Sequence, residues 1–348
     1  MGTSSSRGSI QGGGSSTRLI RQPHRGLKLE VPVHQPMLSI DEYILQAFRQ
    51  KTVTDPPYYY SDSGNDRRLS DALLQIPDRV RNVLNVWYVS ASELKPIKEL
   101  GRGTFGRVLA SSWKGVGIAV KEIRTENRSA VVHSLFEMIV MAYVRHPRIV
   151  DFYGFSIHKN SLFIMMELLP MSLHSFISRP EMYGSSWMSI LRFVREIAEG
   201  VFALHTQDPP IIHHDIKPRN ILLTESHHVK LGDFGLAMPF SPTMPRTQLM
   251  GTEGYIPSDA VTTPKVDIYS IGVVTIVMCA KVLLNIEVRP QLALMEEHVL
   301  KAMATEEGGS LFFTRAIEKC ISQLPDVRPD AQKLIRSINS SILERKAT

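Results

Sequence analysis

Asp215, Lys217 and Asn220 fall in one polar stretch, His213 to Asn220, between the apolar runs Ile211-Ile212 and Ile221-Leu222-Leu223. Runs of that length and composition suit short buried strands, so the polar residues between them share a single loop. A carboxylate there can accept a proton, an ammonium can offset developing negative charge, and a side-chain amide oxygen can ligate a hard cation. Asp233, followed by Phe234 and Gly235, adds a second oxygen ligand. A proton acceptor, a cation and a pair of oxygen ligands are the parts needed to pass a phosphoryl group to a hydroxyl. The histidines His205, His213, His214, His227 and His228 have no cysteine near them in sequence, which argues against a zinc centre.

Such a loop needs a partner that holds the phosphoryl donor. Gly101-Arg102-Gly103-Thr104-Phe105-Gly106 supplies glycines that let backbone approach phosphates closely. The pattern alone suits a dinucleotide-binding turn equally well, but a helix should then open at the last glycine. Here Val108-Leu109-Ala110 continues as strand, Trp113 to Gly117 turns, and Ile118-Ala119-Val120-Lys121 returns as a second strand ending on a lysine. Ser134 to Val144 has helical periodicity and sets Glu137 among Leu135, Phe136, Met138, Ile139 and Val140, where an unpaired charge is costly. Leu162 to Met166 reads as a strand, and Leu173 to Ile177 and Ile190 to His205 read as helices leading to the polar loop.

In order, spacing and expected local structure, these motifs resemble those of the protein kinase family over residues 93 to 344. The resemblance implies an α+β, bilobal protein-kinase fold: a small antiparallel-sheet N-lobe with one helix at 93–167, and a larger, mainly helical C-lobe at 168–344. It places ATP between the lobes. Lys121 would contact the α- and β-phosphates, held by Glu137. Asp215 would orient the acceptor hydroxyl and take its proton, Lys217 would offset charge on the moving group, and Asn220 and Asp233 would hold Mg2+. The implied nucleotide contacts are Gly101, Arg102, Gly103, Thr104, Phe105, Gly106, Val108 and Ala119, with Met166, Glu167 and Leu168 at the hinge and Leu222 below.

Lys217-Pro218 after the aspartate, and Thr252 in Gly251-Thr252-Glu253-Gly254-Tyr255, resemble the serine/threonine class. The implied reaction is transfer of the γ-phosphate of ATP to Ser or Thr hydroxyls of a protein substrate; a catalytically weak pseudokinase scaffold is the alternative. Local similarity, including Thr263-Pro264-Lys265-Val266-Asp267-Ile268-Tyr269-Ser270, suggests the tyrosine-kinase-like or Mos-like branch. Asp267 is expected to cap backbone from a buried helix.

Two positions depart from the family pattern. His214 stands where an Arg usually receives an activation-segment phosphate, and neutral His is a poor substitute. Activation is therefore expected not to depend strictly on phosphorylation of Thr243 or Thr247. Ile256-Pro257-Ser258 replaces Ala-Pro-Glu, and the missing Glu normally pairs with an Arg like Arg328. Either Asp259 reaches it by a local shift, or Arg328 is solvated.

The chain has 348 residues, 43% hydrophobic and 21% charged, as in a globular protein, and a net charge of +6 too modest to imply nucleic-acid binding. Cys279 and Cys320 lie in apolar helical patterns and read as buried thiols of a reducing compartment. Residues 1–36 are Gly/Ser-rich and basic and are expected to be disordered; 37–92 read as a partly helical extension. Met1-Gly2-Thr3-Ser4-Ser5-Ser6 fits the N-myristoylation pattern, and Arg7, Arg18, Arg21, Arg25 and Lys28 supply a basic second signal for an anionic membrane. The expected location is cytoplasmic, with membrane association through a lipidated Gly2.

Overall fold

The computed structural model describes residues 18–20, 29–31, 86–103, 106–124, 128–158, 161–179, 187–240, 250–258, 262–284, 296–305 and 311–347. Gly2, Thr104, Phe105, Thr243, Thr247, Asp259 and the helical readings between 37 and 85 lie outside the described residues. The chain divides into two units, 1–38 and 39–348. In the first, strands β1 (Arg18–Ile20) and β2 (Leu29–Val31) pair antiparallel, with Leu19 opposite Glu30. Composition predicts disorder for this stretch; these strands are the exception, because Leu, Ile and Val favour extended backbone even in a Gly/Ser-rich context.

In the second unit, five strands form an antiparallel sheet: β3 (Leu94–Gly103), β4 (Gly106–Trp113), β5 (Val116–Arg124), β6 (Phe152–His158) and β7 (Ser161–Glu167). The order is β3-β4-β5-β7-β6, so β5 is central. Alternation along β5 sends Ile118 and Val120 to one face and Ala119 and Lys121 to the other. Ile118 and Val120 pack with Tyr153 and Met165, partly covered by Val89, Leu94, Trp113, Val116 and Phe163. Helix α1 (Arg128–Tyr143), which carries Glu137, packs against β5 and β6. It begins ahead of the expected start at Ser134. The lobe also takes in Trp87 to Val89, upstream of the expected boundary at 93: Val89 N–H donates to Phe155 O at 2.8 Å and Phe155 N–H to Trp87 O at 2.9 Å.

After β7 the chain enters the helical lobe through β8 (Met171–Ser172) and α2 (Leu173–Ile177). The Ser172 hydroxyl caps α2 by accepting from the Ser175 amide. Helix α3 (Trp187–His205) is amphipathic, and its buried side includes Leu191, Val194, Ile197, Val201 and Leu204. Strands β9 (Ile211–Ile212) and β10 (Ile221–Leu223) bracket the polar loop, as their apolar composition predicts. β10 pairs with β11 (Val229–Leu231) and β8, and β9 with β12 (Met238–Pro239).

Helix α4 (Lys265–Leu284) is buried at every residue from 266 to 280, so its apolar run is a core helix. Among the described residues no helix is long and apolar enough to cross a membrane. Helices α5 (Glu296–Thr305), α6 (Leu311–Cys320) and α7 (Ala331–Ala347) complete the lobe, α7 packing on α3. Cys279 and Cys320 are buried and free; burial pushes the Cys320 thiol up to about 12.

Arg328 is 1% exposed, which rules out the solvated alternative. Its Nε donates to Ser322 O at 2.7 Å, and its guanidinium lies 5.2 Å from the Tyr269 ring centroid. Ser258, in the position of the missing glutamate, instead donates its hydroxyl to Gln323 Oε1 at 2.7 Å.

Candidate active site

The polar loop is held by its backbone before its side chains do anything. Asp267, on the first turn of α4 and fully buried, accepts from the His213 amide at 2.8 Å and the His214 amide at 2.9 Å. Its Oδ2 also contacts His205 Nε2 at 2.9 Å, a partner that the sequence reading did not anticipate. Burial opposes ionisation of Asp267, but the His205 contact and the adjacent His213 and His214 outweigh it and hold the carboxyl below its ordinary value. The His213 ring packs on Phe234, centroids 4.9 Å apart, and its Nδ1 accepts from the Asp215 amide at 3.3 Å.

Around Asp215 the side chains converge. Oδ2 accepts from Lys217 Nζ and Asn220 Nδ2, both at 2.7 Å, and Oδ1 accepts from the Thr252 hydroxyl at 2.6 Å. Lys217 Nζ also donates to Thr252 Oγ1 at 2.8 Å, closing a triangle of Asp215, Lys217 and Thr252. The Asn220 amide nitrogen is committed to Asp215, leaving its oxygen as the atom a cation would need. The Gly232 amide donates to Asn220 O at 2.9 Å and so ties Asn220 to the segment bearing Asp233. Asp233 takes a left-handed backbone, φ 58°, and its side chain is 45% exposed. A carboxylate and an amide oxygen are hard-oxygen donors of the kind that suit magnesium, which takes its remaining ligands from phosphate and water.

The lysine half of the site comes from the sheet. Lys121 Nζ lies 2.7 Å from Glu137 Oε2 and 3.0 Å from Asp233 Oδ1. Burial alone would lower the Lys121 pKa; the two carboxylates overcome it and keep the ammonium above its ordinary value. Glu137 is raised, by burial first and by the neighbouring Asp233 charge, against the pull of Lys121. The expected pairing of Lys121 with Glu137 is thus present, and Asp233 joins it. His133, one turn before Glu137 on α1, contacts Gly235 O through Nδ1 at 3.1 Å.

Strand register sets several of the residues expected at the nucleotide next to one another. Gly101 lies opposite Val108, Gly103 opposite Gly106, Val108 opposite Lys121, and Ala119 opposite Met166. Leu168 follows β7 close to Gly117, and Leu222 on β10 lies near Gly232. The exposed Arg102 side chain pairs with Glu99 at 3.1 Å. Glu167 points its carboxylate at Lys230, 2.6 Å, and Lys230 Nζ also donates to Asp151 Oδ2 at 3.1 Å. This part-buried triad joins the end of β7 to the strand that leads into Asp233. No motif announces it, because each charge taken singly reads as a solvated strand-end residue.

His214 is 2% exposed, sits at φ 64°, and neither ring nitrogen completes a hydrogen bond among the described residues. Burial drives its pKa below the ordinary histidine value, against the pull of Asp267. Burial thus favours the neutral ring, which suits it poorly to receive a phosphate.

One cleft thus gathers a lysine–glutamate pair, two candidate oxygen ligands, and a carboxylate, a cation and a hydroxyl in mutual contact, an arrangement of the protein-kinase type. The protein kinase domain matches residues 94–340. The chain belongs to the protein kinase family. It is 27% identical over 279 residues to the probable serine/threonine-protein kinase drkC of Dictyostelium discoideum, covering 74% of this chain and 37% of that protein. It is 34% identical over 194 residues to the probable serine/threonine-protein kinase drkD of the same organism, covering 54% and 15%. It is 32% identical over 197 residues to a putative L-type lectin-domain containing receptor kinase V.1 of Arabidopsis thaliana, covering 54% and 30%. The chain spans well under half the length of these relatives.

Proposed function

We propose that the chain is an active protein serine/threonine kinase that passes the γ-phosphate of ATP to Ser or Thr hydroxyls of a protein substrate. The triangle of Asp215, Lys217 and Thr252 carries this reading: it sets a proton acceptor, a cation and a resident hydroxyl within hydrogen-bond reach of one another. When bound, magnesium-ATP supplies the electrophilic phosphoryl group and the neutralising cation. Lys121, braced by Glu137, would hold the donor phosphates. Asn220 and Asp233 would hold the metal. Asp215 would orient the acceptor hydroxyl through Oδ1, exchanging the Thr252 contact for it, and take its proton. Lys217 would follow the charge from Asp215 to the transferred group.

The scaffold alternative rests on His214 and Ser258, and neither side chain enters the hydrogen bonds around Asp215. Transfer from magnesium-ATP to a basic protein acceptor separates the two readings. Lys121→Met and Asp215→Ala should each lower turnover by about 100-fold or more. Equal background from wild type and both variants would leave the scaffold. In the same assay Thr247→Ala should keep its activity, since buried, neutral His214 offers a segment phosphate no cation; loss with Thr247→Ala and rescue by Thr247→Glu would overturn that point. Attachment to an anionic membrane through a myristoylated Gly2 belongs to this proposal as well; mass measurement of the mature N-terminus decides it.

A further inference from the structure

Trp87 lies outside the matched kinase domain, yet it is 4% exposed. Its ring meets Phe152 on β6 at 5.2 Å between centroids, and the Arg145 guanidinium lies 4.7 Å from its ring centroid. The backbone around it is paired as well: Phe155 N–H donates to Trp87 O and Val89 N–H to Phe155 O, so residues 87 to 89 run as a short parallel strap along β6. β6 is the outermost strand on that side of the sheet. The seat is shaped for the strap. Gly154 has φ 148°, and a Cβ there would lie 2.5 Å from Trp87 O. Tyr88 adds an edge-to-face contact with Phe155 at 5.7 Å.

Arg145 is the point of interest. It follows Val144, whose amide closes the last turn of α1 on Val140 O at 2.8 Å. The strap therefore grips the rear end of the helix that presents Glu137 to Lys121. Glu137 stands about two turns ahead of that end. Among the described residues, its ion pair with the sheet is the 2.7 Å contact with Lys121, the one that catalysis would need. α1 already packs along β5 and β6; the strap adds a hold at its rear end that limits any tilt of Glu137 away from β5.

We infer that Trp87 is a positioning residue: by clamping Arg145 against Phe152 it fixes α1 so that Glu137 meets Lys121. This rests on the catalytic reading above, and gives part of the extension before the kinase domain a role in phosphate transfer. Loss of the clamp should act through geometry, since small misplacements at a reacting centre cost far more in rate than in binding.

The test uses the full chain with Trp87→Ala, Trp87→Phe and Arg145→Ala. Two quantities are read: steady-state transfer from magnesium-ATP to a basic protein acceptor, and amide hydrogen exchange of α1 beside that of α6. Trp87→Ala should lower kcat by about ten-fold with a smaller change in the KM for ATP. Exchange should quicken in the last two turns of α1 and stay unchanged in α6. Trp87→Phe, which keeps an aromatic ring on Phe152, should restore more than half of both readouts. Arg145→Ala should follow Trp87→Ala. Wild-type kcat and wild-type α1 protection in Trp87→Ala or in Arg145→Ala would overturn the inference. If Trp87→Ala loses protection in α6 too, the chain has unfolded, and Arg145→Ala decides. If the wild type transfers no phosphate, the catalytic reading falls, while α1 protection still decides whether Trp87 holds the helix.

Discussion

At the scale of single residues, the chemistry is concentrated where like and unlike charges meet under burial. Lys121 serves two carboxylates, and Asp215 accepts from three side chains. Both constellations are legible in the sequence, since the residue types are chemically distinctive and the motif spacings carry them. His214 is legible only as a departure; its burial and missing ring partners emerge from the packing. That packing has a pH consequence. The folded-state pKa is depressed below the unfolded value of about 6.5, so the unfolded chain takes up the proton first as pH falls. The contribution is present above that value and is lost as pH drops through it. Wild type should therefore lose stability between pH 7 and 5 more steeply than His214→Asn. Asn removes the titrating ring and tolerates φ 64°. The difference should widen as pH falls below about 6.5. Chemical denaturation of both proteins across that range measures it; parallel curves would sink the argument.

At the scale of elements, the proposed reaction makes the sheet and α1 the donor side of the cleft and the β9–β10 loop the acceptor side. Strand and helix identities were readable from apolar periodicity, as at Ile118 to Lys121 and in the core helix α4. Their edges were less so: α1 begins at Arg128 and α3 at Trp187, because end turns are set by local contacts that periodicity does not encode. The strap of residues 87 to 89 and the Lys230 triad were not readable at all, since their partners lie far apart in sequence and no repeat links them. Among the glycines, Gly106 has a structural necessity beyond phosphate approach. At φ 152°, a Cβ would meet Glu122 O at 2.0 Å, on the strand that carries Lys121. Gly106→Ala should push β4 off β5, costing about 2 kcal/mol. The KM for ATP should rise by about ten-fold in the same variant. Melting and ATP titration would check both, and an unchanged melting temperature would refute the steric reading.

At the scale of the whole molecule, the two sides of the cleft differ in how they are founded. Bilobal architecture, with a mainly helical second lobe, followed from the motif order and the family resemblance it carries. The depth at which each side is anchored did not. Asp267 roots the acceptor loop in α4, which is buried from 266 to 280, whereas Glu137 depends on a helix laid against the sheet and clamped at its end. Regions rooted in the deepest core open only with global unfolding, and peripheral ones open at lower cost. Heating should therefore dismantle the enzyme in order. Activity should fade, and return on cooling, several degrees before the main calorimetric transition, while His213 and His214 amides stay protected. Coincident loss of activity and of amide protection would contradict this. Seen as a machine under thermal load, the molecule has a fuse on its donor side, and the part that breaks first is the part that can be reset.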